Sequence, residues 1–506
     1  LTSTQYSTFL ETSNHYLTIP VVDHFFSDTL TPIEIFQSLQ DEACYLLESK
    51  DELSTWSRYS FIGLNPFLIL FEEDGRFIAT MKDEQIANTT TLQDAYTTVI
   101  KKLKVKVPEL ELPFSGGAVG YIGYDAISLF EKVSPHPKDT AQNKRVYLQF
   151  CETILAFDHV KKELSLVHYI RLAGDEGEAE KENYFHEAKQ KIASLIEKIE
   201  QSPRLPSVQH AMPAIEEDAF NGVRSNYEKE QFLKDVERIK EYILAGDVFQ
   251  TVLSQRFSKE VTVSGFELYR MLRMVNPSPY LFYLKADNKE YIGSSPERLI
   301  QIQDKHLEIH PIAGTRRRGA NSDEDRALGE NLLQDEKERA EHYMLVDLAR
   351  NDIGRVANYG SVETPVLMEL TYFSHVMHLI SKVTGTLNEE VSPLDALISA
   401  FPAGTVSGAP KIRAMEILNE LEPTVRQAYA GAICYIGFDG NIDSCITIRT
   451  MTKEGSTVHV QAGAGIVADS VPENEFEETQ NKARALLATI QQAERMFSTK
   501  GGRVRG

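Results

Sequence analysis

Leu281-Phe282-Tyr283-Leu284, Leu299-Ile300-Gln301-Ile302 and Leu307-Glu308-Ile309-His310-Pro311-Ile312 follow one another as short apolar runs without an amphipathic helix between them. Runs of this length, rich in β-branched and aromatic residues, read as strands. Ala432–Phe438 and Val458–Gln461 add two more, with helices between these runs at about 335–350, 408–420 and 475–496. Strands that arrive as neighbours favour an α+β class, a layered fold of large antiparallel sheets flanked by helices, over a doubly wound parallel sheet. Upstream, Phe232, Val236, Ile239 and Ile243 recur at helical spacing, Gly246 stops that helix, and Val248 to Phe257 reads as a strand. Earlier still, the charged stretch around Gly174-Asp175-Glu176-Gly177-Glu178 and Lys181 to Ile199 runs into Ser202-Pro203-Arg204-Leu205-Pro206. This linker divides an N-terminal part, 1–210, from a C-terminal part, 211–506.

Composition bounds the function. With 42% hydrophobic residues and 24 Phe, the 506-residue chain can bury substantial cores. Its 74 acidic against 53 basic side chains give a formal charge of −21, which disfavours sequence-independent binding to nucleic acid or to an anionic membrane. No apolar stretch approaches the roughly 20 residues of a membrane span, and the first residues lack the basic start and apolar core of a leader. A cytoplasmic protein is expected. Cys44, Cys151, Cys434 and Cys445 have neither disulfide-framework nor zinc-knuckle spacing and are expected to be reduced and mostly buried.

Two predicted helices place acids where acids are costly. Asp335 fits an N-cap, with Glu338 three residues on; Glu341, Leu345 and Leu348 then share one face, which points Glu341 toward the core. In the second helix Glu475, Glu478 and Lys482 share a face above Leu486. Two such faces meeting would suit Mg²⁺ bridging protein carboxylates and an anionic substrate, although the same spacing describes a solvated Glu478–Lys482 pair. Three turns offer backbone donors to a carboxylate: Phe401 to Lys411, with Ser407 as N-cap and Pro410 in the first helical turn, Gln461-Ala462-Gly463-Ala464-Gly465, and Pro311-Ile312-Ala313-Gly314-Thr315-Arg316. Arg449, at the end of the strand-like Ile446-Thr447-Ile448, suits either a carboxylate grip or a structural ion pair. His310, His342, His375 and His378 are candidate proton carriers among which spacing does not choose. The residues alone suggest a metal-assisted site for a small polyanion, with the reaction open.

Gly293-Ser294-Ser295-Pro296-Glu297, the Pro311–Arg316 turn, Asp347-Leu348-Ala349-Arg350-Asn351-Asp352-Ile353-Gly354, Gly404-Thr405-Val406-Ser407-Gly408-Ala409-Pro410-Lys411 and Gly463-Ala464-Gly465 occur in that order. Together they resemble the chorismate-utilising enzymes over about residues 40–490, most closely the anthranilate synthase component I branch. In that family, members that add water to chorismate carry a lysine base where this chain has Gln250. Aminodeoxychorismate synthases carry a lysine nucleophile where it has Ala313. With both lysines missing, the resemblance implies direct attack by ammonia on chorismate, giving anthranilate and pyruvate. It also implies a partner glutaminase, component II, in a heterotetramer of two large and two small subunits. Aminodeoxychorismate synthase component I is the alternative within the same chemistry, and a non-catalytic tryptophan-sensing protein the alternative of another class.

The resemblance further implies roles. Glu341 and Glu478 would bind Mg²⁺, with Glu475 reaching a metal-bound water. Gly314, Thr315, Tyr429, Arg449, Gly463, Ala464, Gly465 and Lys482 would place the two carboxylates of chorismate. Glu297 matches the acid that protonates the departing hydroxyl, and His378 and Thr405 match positions of the second step. Leu46-Leu47-Glu48-Ser49 and Ser57-Arg58-Tyr59-Ser60-Phe61-Ile62-Gly63, with Asn276-Pro277-Ser278-Pro279-Tyr280-Leu281, resemble a feedback pocket. There Ser49 and the Pro279-Tyr280-Leu281 backbone would hold tryptophan.

Overall fold

The structure, a computed structural model, describes residues 3–50, 58–82, 84–140, 143–203, 218–372 and 376–497. Neighbouring strands close directly on each other, as their spacing predicts. Tyr280–Ala286 pairs with Lys289–Ser295 across Asp287-Asn288, and Arg298–Gln303 pairs with His306–Ile309 across Asp304-Lys305. All four turn residues have positive φ, between 49° and 67°, the left-handed geometry whose twist matches that of the flanking strands. The expected single run Leu307–Ile312 is in fact two strands. It breaks at His310-Pro311, because Pro311 has no N–H to give to a ladder, and resumes as Ile312–Arg317.

From these hairpins the sheet grows by antiparallel pairing. Lys289–Ser295 pairs with Thr450–Glu454, that strand with Thr457–Ile466, and Thr457–Ile466 with Gln250–Glu260. Ile442–Ile446 joins Arg298–Gln303 to Ala432–Gly437. The long strands Tyr59–Glu73 and Val146–Asp158 form the corresponding ladder of the N-terminal part. Helices flank these sheets, so the class is α+β with large antiparallel sheets. The two parts are stitched by ladders: Ala43–Glu48 pairs with Tyr280–Ala286, and Gly117–Ile122 pairs with Ala432–Gly437. They also share a core, in which Phe36 stacks on Phe266 at 4.6 Å and meets Tyr283 edge-on at 5.3 Å. Truncating the fully buried Phe36 to Ala would cost about 3–5 kcal/mol. The boundary at 210/211 lies outside the described residues.

Three helices bear on the site. Lys229–Leu244 buries Phe232, Val236 and Ile239 and stops before Gly246, whose φ of +85° no side chain adopts easily. Glu336–Gly354 starts from Asp335, whose carboxylate accepts the N–H groups of Lys337 and Glu338. The helix expected to be capped by Ser407 begins only at Lys411, with Pro410 at the cap position. Ser407 instead donates to the Ala403 carbonyl at 2.8 Å, closing the short 3₁₀ turn Gly404–Val406, and Gly408–Ala409 is drawn into pairing with Gln250 and Thr251. Cys44, Cys151, Cys434 and Cys445 are buried and unbridged. Among the described residues no helix is long and apolar enough to cross a membrane.

Candidate active site

A cavity of about 1610 Å³ runs between the sheet and the helices Glu336–Gly354 and Pro472–Phe497. It gathers the residues to which the family resemblance gives a role, with one exception. Glu297, Gly314, Thr315, Glu341, His378, Thr405, Tyr429, Arg449, Gly463, Gly465, Glu478 and Lys482 line one end; Ser49, Pro279, Tyr280 and Leu281 line the other. The exception is Ala464. Side chains alternate along Thr457–Ile466, so its methyl is packed in the core behind the strand and only its backbone faces the Gly463 and Gly465 side.

Glu297 follows the strand Lys289–Ser295. Its backbone carbonyl accepts from Ile446 N at 3.0 Å, and its carboxyl accepts from Thr405 Oγ1 at 3.1 Å. Burial raises its pKa, opposed by the Thr405 hydrogen bond and by the charges of Lys482 and Arg449. The turn that brings Thr405 here depends on Gly404: a Cβ there would lie 1.9 Å from Leu348 Cδ2 on the neighbouring helix.

His378 Nδ1 is 2.9 Å from the Gly314 carbonyl and 3.1 Å from Thr315 Oγ1. A carbonyl only accepts, so Nδ1 carries the hydrogen and Nε2 is the basic nitrogen of the neutral ring. Gly314 makes this possible, with φ +69° at an irregularity in the pairing of Ile312–Arg317 with Val376–Thr386. Of the other histidines, His342 is buried against Ser381 Oγ at 2.6 Å and His310 is paired with Glu308 at 2.7 Å; His375 lies outside the described residues, as does Ser57.

Arg449 sits at φ 51°, a left-handed break between the strands Ile442–Ile446 and Thr450–Glu454, and donates Nη1 to the Lys482 carbonyl at 2.9 Å. Lys482 Nζ reaches the Gly463 carbonyl at 2.9 Å and Glu478 at 2.7 Å. These cations lie among backbone of small residues, a setting for carboxylates. The ring of Tyr429 is held from behind by the guanidinium of Arg426, 5.7 Å from its centroid. Arg426 is 3% exposed, bonds Glu422 twice, and donates to the carbonyls of Val406 at 2.7 Å and Val252 at 2.6 Å. One buried, fully satisfied charge thus ties the Thr405 turn to the Gln250 strand, a positioning role the sequence did not reveal.

Glu341 does not point into the apolar core; it faces the open cavity and is accessible from it. Its pKa is nevertheless raised, first by burial, then by the charge of Glu338 and, less, of Glu478, with the charge of Lys337 and a hydrogen bond with Gln250 in opposition. Glu338 is held by Arg316 at 2.8 Å, and Glu478 by Lys482. Carboxylates from two helices therefore repel across the cavity. Among the described residues no three His, Cys, Asp or Glu converge as a ready cage. Mg²⁺ takes one or two protein carboxylates beside waters and substrate oxygens, and Glu341 and Glu478 are the carboxylates here that would serve as its donors.

At the other end, Lys50 N donates to the Ser278 carbonyl at 3.1 Å, Ser278 Oγ to the Ser295 carbonyl, and Ser294 Oγ to the Asn276 carbonyl. The 276–281 segment is thereby sewn to the strand that leads into Glu297. Glu48, next to Ser49, accepts from Tyr269 at 2.7 Å and from Arg273 Nε and Nη2 at 3.0 Å each.

Residues 42–488 match the model of the chorismate binding enzyme family. The chain therefore belongs to the chorismate-binding enzymes. It is 56% identical to anthranilate synthase component 1 of Bacillus subtilis (strain 168), across 98% of this chain and 96% of that protein, and 55% identical to that of Geobacillus stearothermophilus, across 97% of each. A crystal structure of anthranilate synthase component I from Streptococcus pneumoniae superimposes with a TM-score of 0.71 at 36% identity, covering 91% of this chain and 98% of that one. The menaquinone-specific isochorismate synthase of Escherichia coli, at 20% identity and a TM-score of 0.68, shares the fold. Within its family this chain is an enzyme of the anthranilate synthase component 1 type.

Proposed function

We propose that the cavity converts chorismate and ammonia to anthranilate and pyruvate, the first step of tryptophan biosynthesis, with ammonia delivered by a partner glutaminase, component II. The observation that carries this reading is the accounting of lysines. Gln250 and Ala313 both line the cavity, and the lysines that share its wall, Lys337, Lys382 and Lys482, are each ion-paired, to Asp469, Glu308 and Glu478. With no lysine at either position the nucleophile comes from outside. We further propose a cytoplasmic heterotetramer of two large and two small subunits.

Glu341 and Glu478 would hold Mg²⁺, which when bound supplies positive charge for the ring carboxylate of chorismate. Arg449, Lys482 and the Gly463-Ala464-Gly465 backbone bind and orient the substrate from the opposite side, Arg449 toward the enolpyruvyl carboxylate, with Tyr429 and Gly314-Thr315 completing the wall. Glu297, whose pKa burial raises, is the acid that gives its proton to the departing C4 hydroxyl, with Thr405 fixing its direction. His378 Nε2 is then placed to take a ring proton as the aminated intermediate loses pyruvate and becomes aromatic. Tryptophan is proposed to occupy the Ser49, Pro279, Tyr280 and Leu281 end and to restrain turnover from there; that both ends belong to one cavity supports the coupling.

Incubating the purified chain with chorismate, Mg²⁺ and ammonium salt tests this. Fluorescent anthranilate is expected, glutamine replacing ammonium only when component II is added. A para-substituted amine or isochorismate as the product would overturn it.

A further inference from the structure

The floor of the cavity carries a ladder of charged and hydroxyl groups that no proposed step uses. Arg298 directly follows Glu297. Its Nε donates to the Tyr280 hydroxyl at 2.8 Å and its Nη1 to Glu308 at 2.6 Å. The Tyr280 hydroxyl in turn donates to Asp443 Oδ1 at 3.0 Å. Glu308 is ion-paired with His310 at 2.7 Å and with Lys382. His310 leads into Ile312–Arg317, which carries Gly314 and Thr315, and Lys382 lies on Val376–Thr386 four residues beyond His378, hence on the same face. The ladder thus starts at a residue of the amino-acid end, passes the residue bonded to Glu297, and ends on the two strands that hold Gly314, Thr315 and His378.

Two features suit it to transmission. Burying a charge without its partner is costly, so Arg298, 11% exposed at its side chain, must follow the Tyr280 hydroxyl if the ring moves, and Glu297 is joined to it by one peptide bond. In addition, Gln301 sits opposite both Glu308 and Asp443 in the sheet register, and its buried Nε2 has no hydrogen-bond partner among the described residues. That spare donor allows a second satisfied arrangement in which Gln301 takes up a carboxylate that Arg298 or Tyr280 releases. A polar network with two satisfied arrangements is a physical basis for coupling between sites.

We propose that Arg298, gripping Tyr280 and Glu308, is the positioning residue that carries occupancy of the amino-acid pocket to Glu297 and to the Gly314–His378 strand pair. This rests on the reading of the Ser49–Tyr280 pocket as the tryptophan site. The test uses the intact chain with Tyr280→Phe, Arg298→Met, Arg298→Lys and Glu308→Gln. Calorimetry measures tryptophan binding, and chorismate KM is measured at zero and saturating tryptophan. Tyr280→Phe removes one oxygen and leaves the backbone that would hold the ligand, and its melting curve and circular dichroism are recorded beside those of the unaltered chain.

Tryptophan should still bind Tyr280→Phe, Arg298→Met and Glu308→Gln within about threefold, while the factor by which it raises chorismate KM falls to within about twofold of one; Arg298→Lys should recover part of that factor. A purely structural role would not separate binding from coupling in this way. Variants that bind tryptophan and keep the full KM effect overturn the relay alone, as do variants that lose tryptophan binding outright, since they would then shape the pocket and not transmit from it. Absence of tryptophan binding to the unaltered chain would remove the pocket reading itself, and the relay with it.

Discussion

At the end of the cavity lined by Ser49 and Tyr280, Glu48 is answered by Tyr269 and by two nitrogens of Arg273, and Arg298 by Tyr280 and Glu308. At the other end the partners of Glu341 and Glu297 do not outweigh burial: Lys337 and Gln250 oppose it at Glu341, where Glu338 and Glu478 add to it, and Thr405, Lys482 and Arg449 oppose it at Glu297. The pKa directions follow: Glu308 is pulled far below the usual carboxylate range by His310, Lys382 and Arg298, in spite of its burial, whereas Glu297 and Glu341 are pushed up. Carboxylates matched by several cations fix geometry, and those whose partners do not outweigh burial are the candidates to hold a proton or a cation.

The contrast can be broken most forcefully at Glu297. Glu297→Gln should lower turnover by about 10³-fold, because the amide keeps the Thr405 contact but has no acidic proton to give. In the unaltered protein kcat/KM should fall as pH rises through the raised folded pKa of Glu297, where the acid loses its proton, and the residual rate of the variant should lack that limb. The stability sign is the same. The folded state holds this proton more tightly than the unfolded chain, so stability falls with rising pH from the ordinary carboxylate value up to the raised one. Melting curves of Glu297→Gln should show a shallower decline across that window.

A smaller effect is expected at Gln250, beside Glu341. Gln250→Lys should cost anthranilate formation roughly tenfold to a hundredfold, as a cation enters the space proposed for metal and substrate, and should bring detectable water addition to chorismate, read by product chromatography. Unchanged product distribution would remove Gln250 from the account of specificity. The mildest test lies at the other end: Ser49→Ala should shift tryptophan inhibition to about tenfold higher concentration by loss of one hydrogen bond to a charged group, with turnover near that of the unaltered chain. An unchanged inhibition curve would count against the pocket.

Much of this was legible because it is local. Neighbouring apolar runs implied antiparallel hairpins, Asp335 with Glu338 implied the start of the helix that presents Glu341, and Gly463 with Gly465 implied a face open to a ligand. The errors were also local competitions. Ser407 looks like a cap, but the 3₁₀ turn claims its hydroxyl, and Pro311 splits what reads as one strand. Helical spacing set Glu341 beside Leu345 and could not tell an apolar core from a cavity wall. The polar ladder was partly within reach: pairing Arg298–Gln303 with His306–Ile309 over Asp304-Lys305 puts Gln301 opposite Glu308 once the turn is recognised. The bond of Arg426 to Val252, 174 residues away, has no trace in local sequence, nor does the left-handed backbone of Arg449.

The proposed sharing of a divalent cation by Glu341 and Glu478, in place of the Lys482 that now pairs with Glu478, is exposed most plainly by Mg²⁺ titration. Anthranilate formation from chorismate and ammonium should rise saturably with Mg²⁺ and be abolished by chelator. In Glu341→Gln and Glu478→Gln the half-saturating Mg²⁺ should rise by at least about tenfold to a hundredfold. A full rate in chelator, or a titration curve unmoved in both variants, would contradict it.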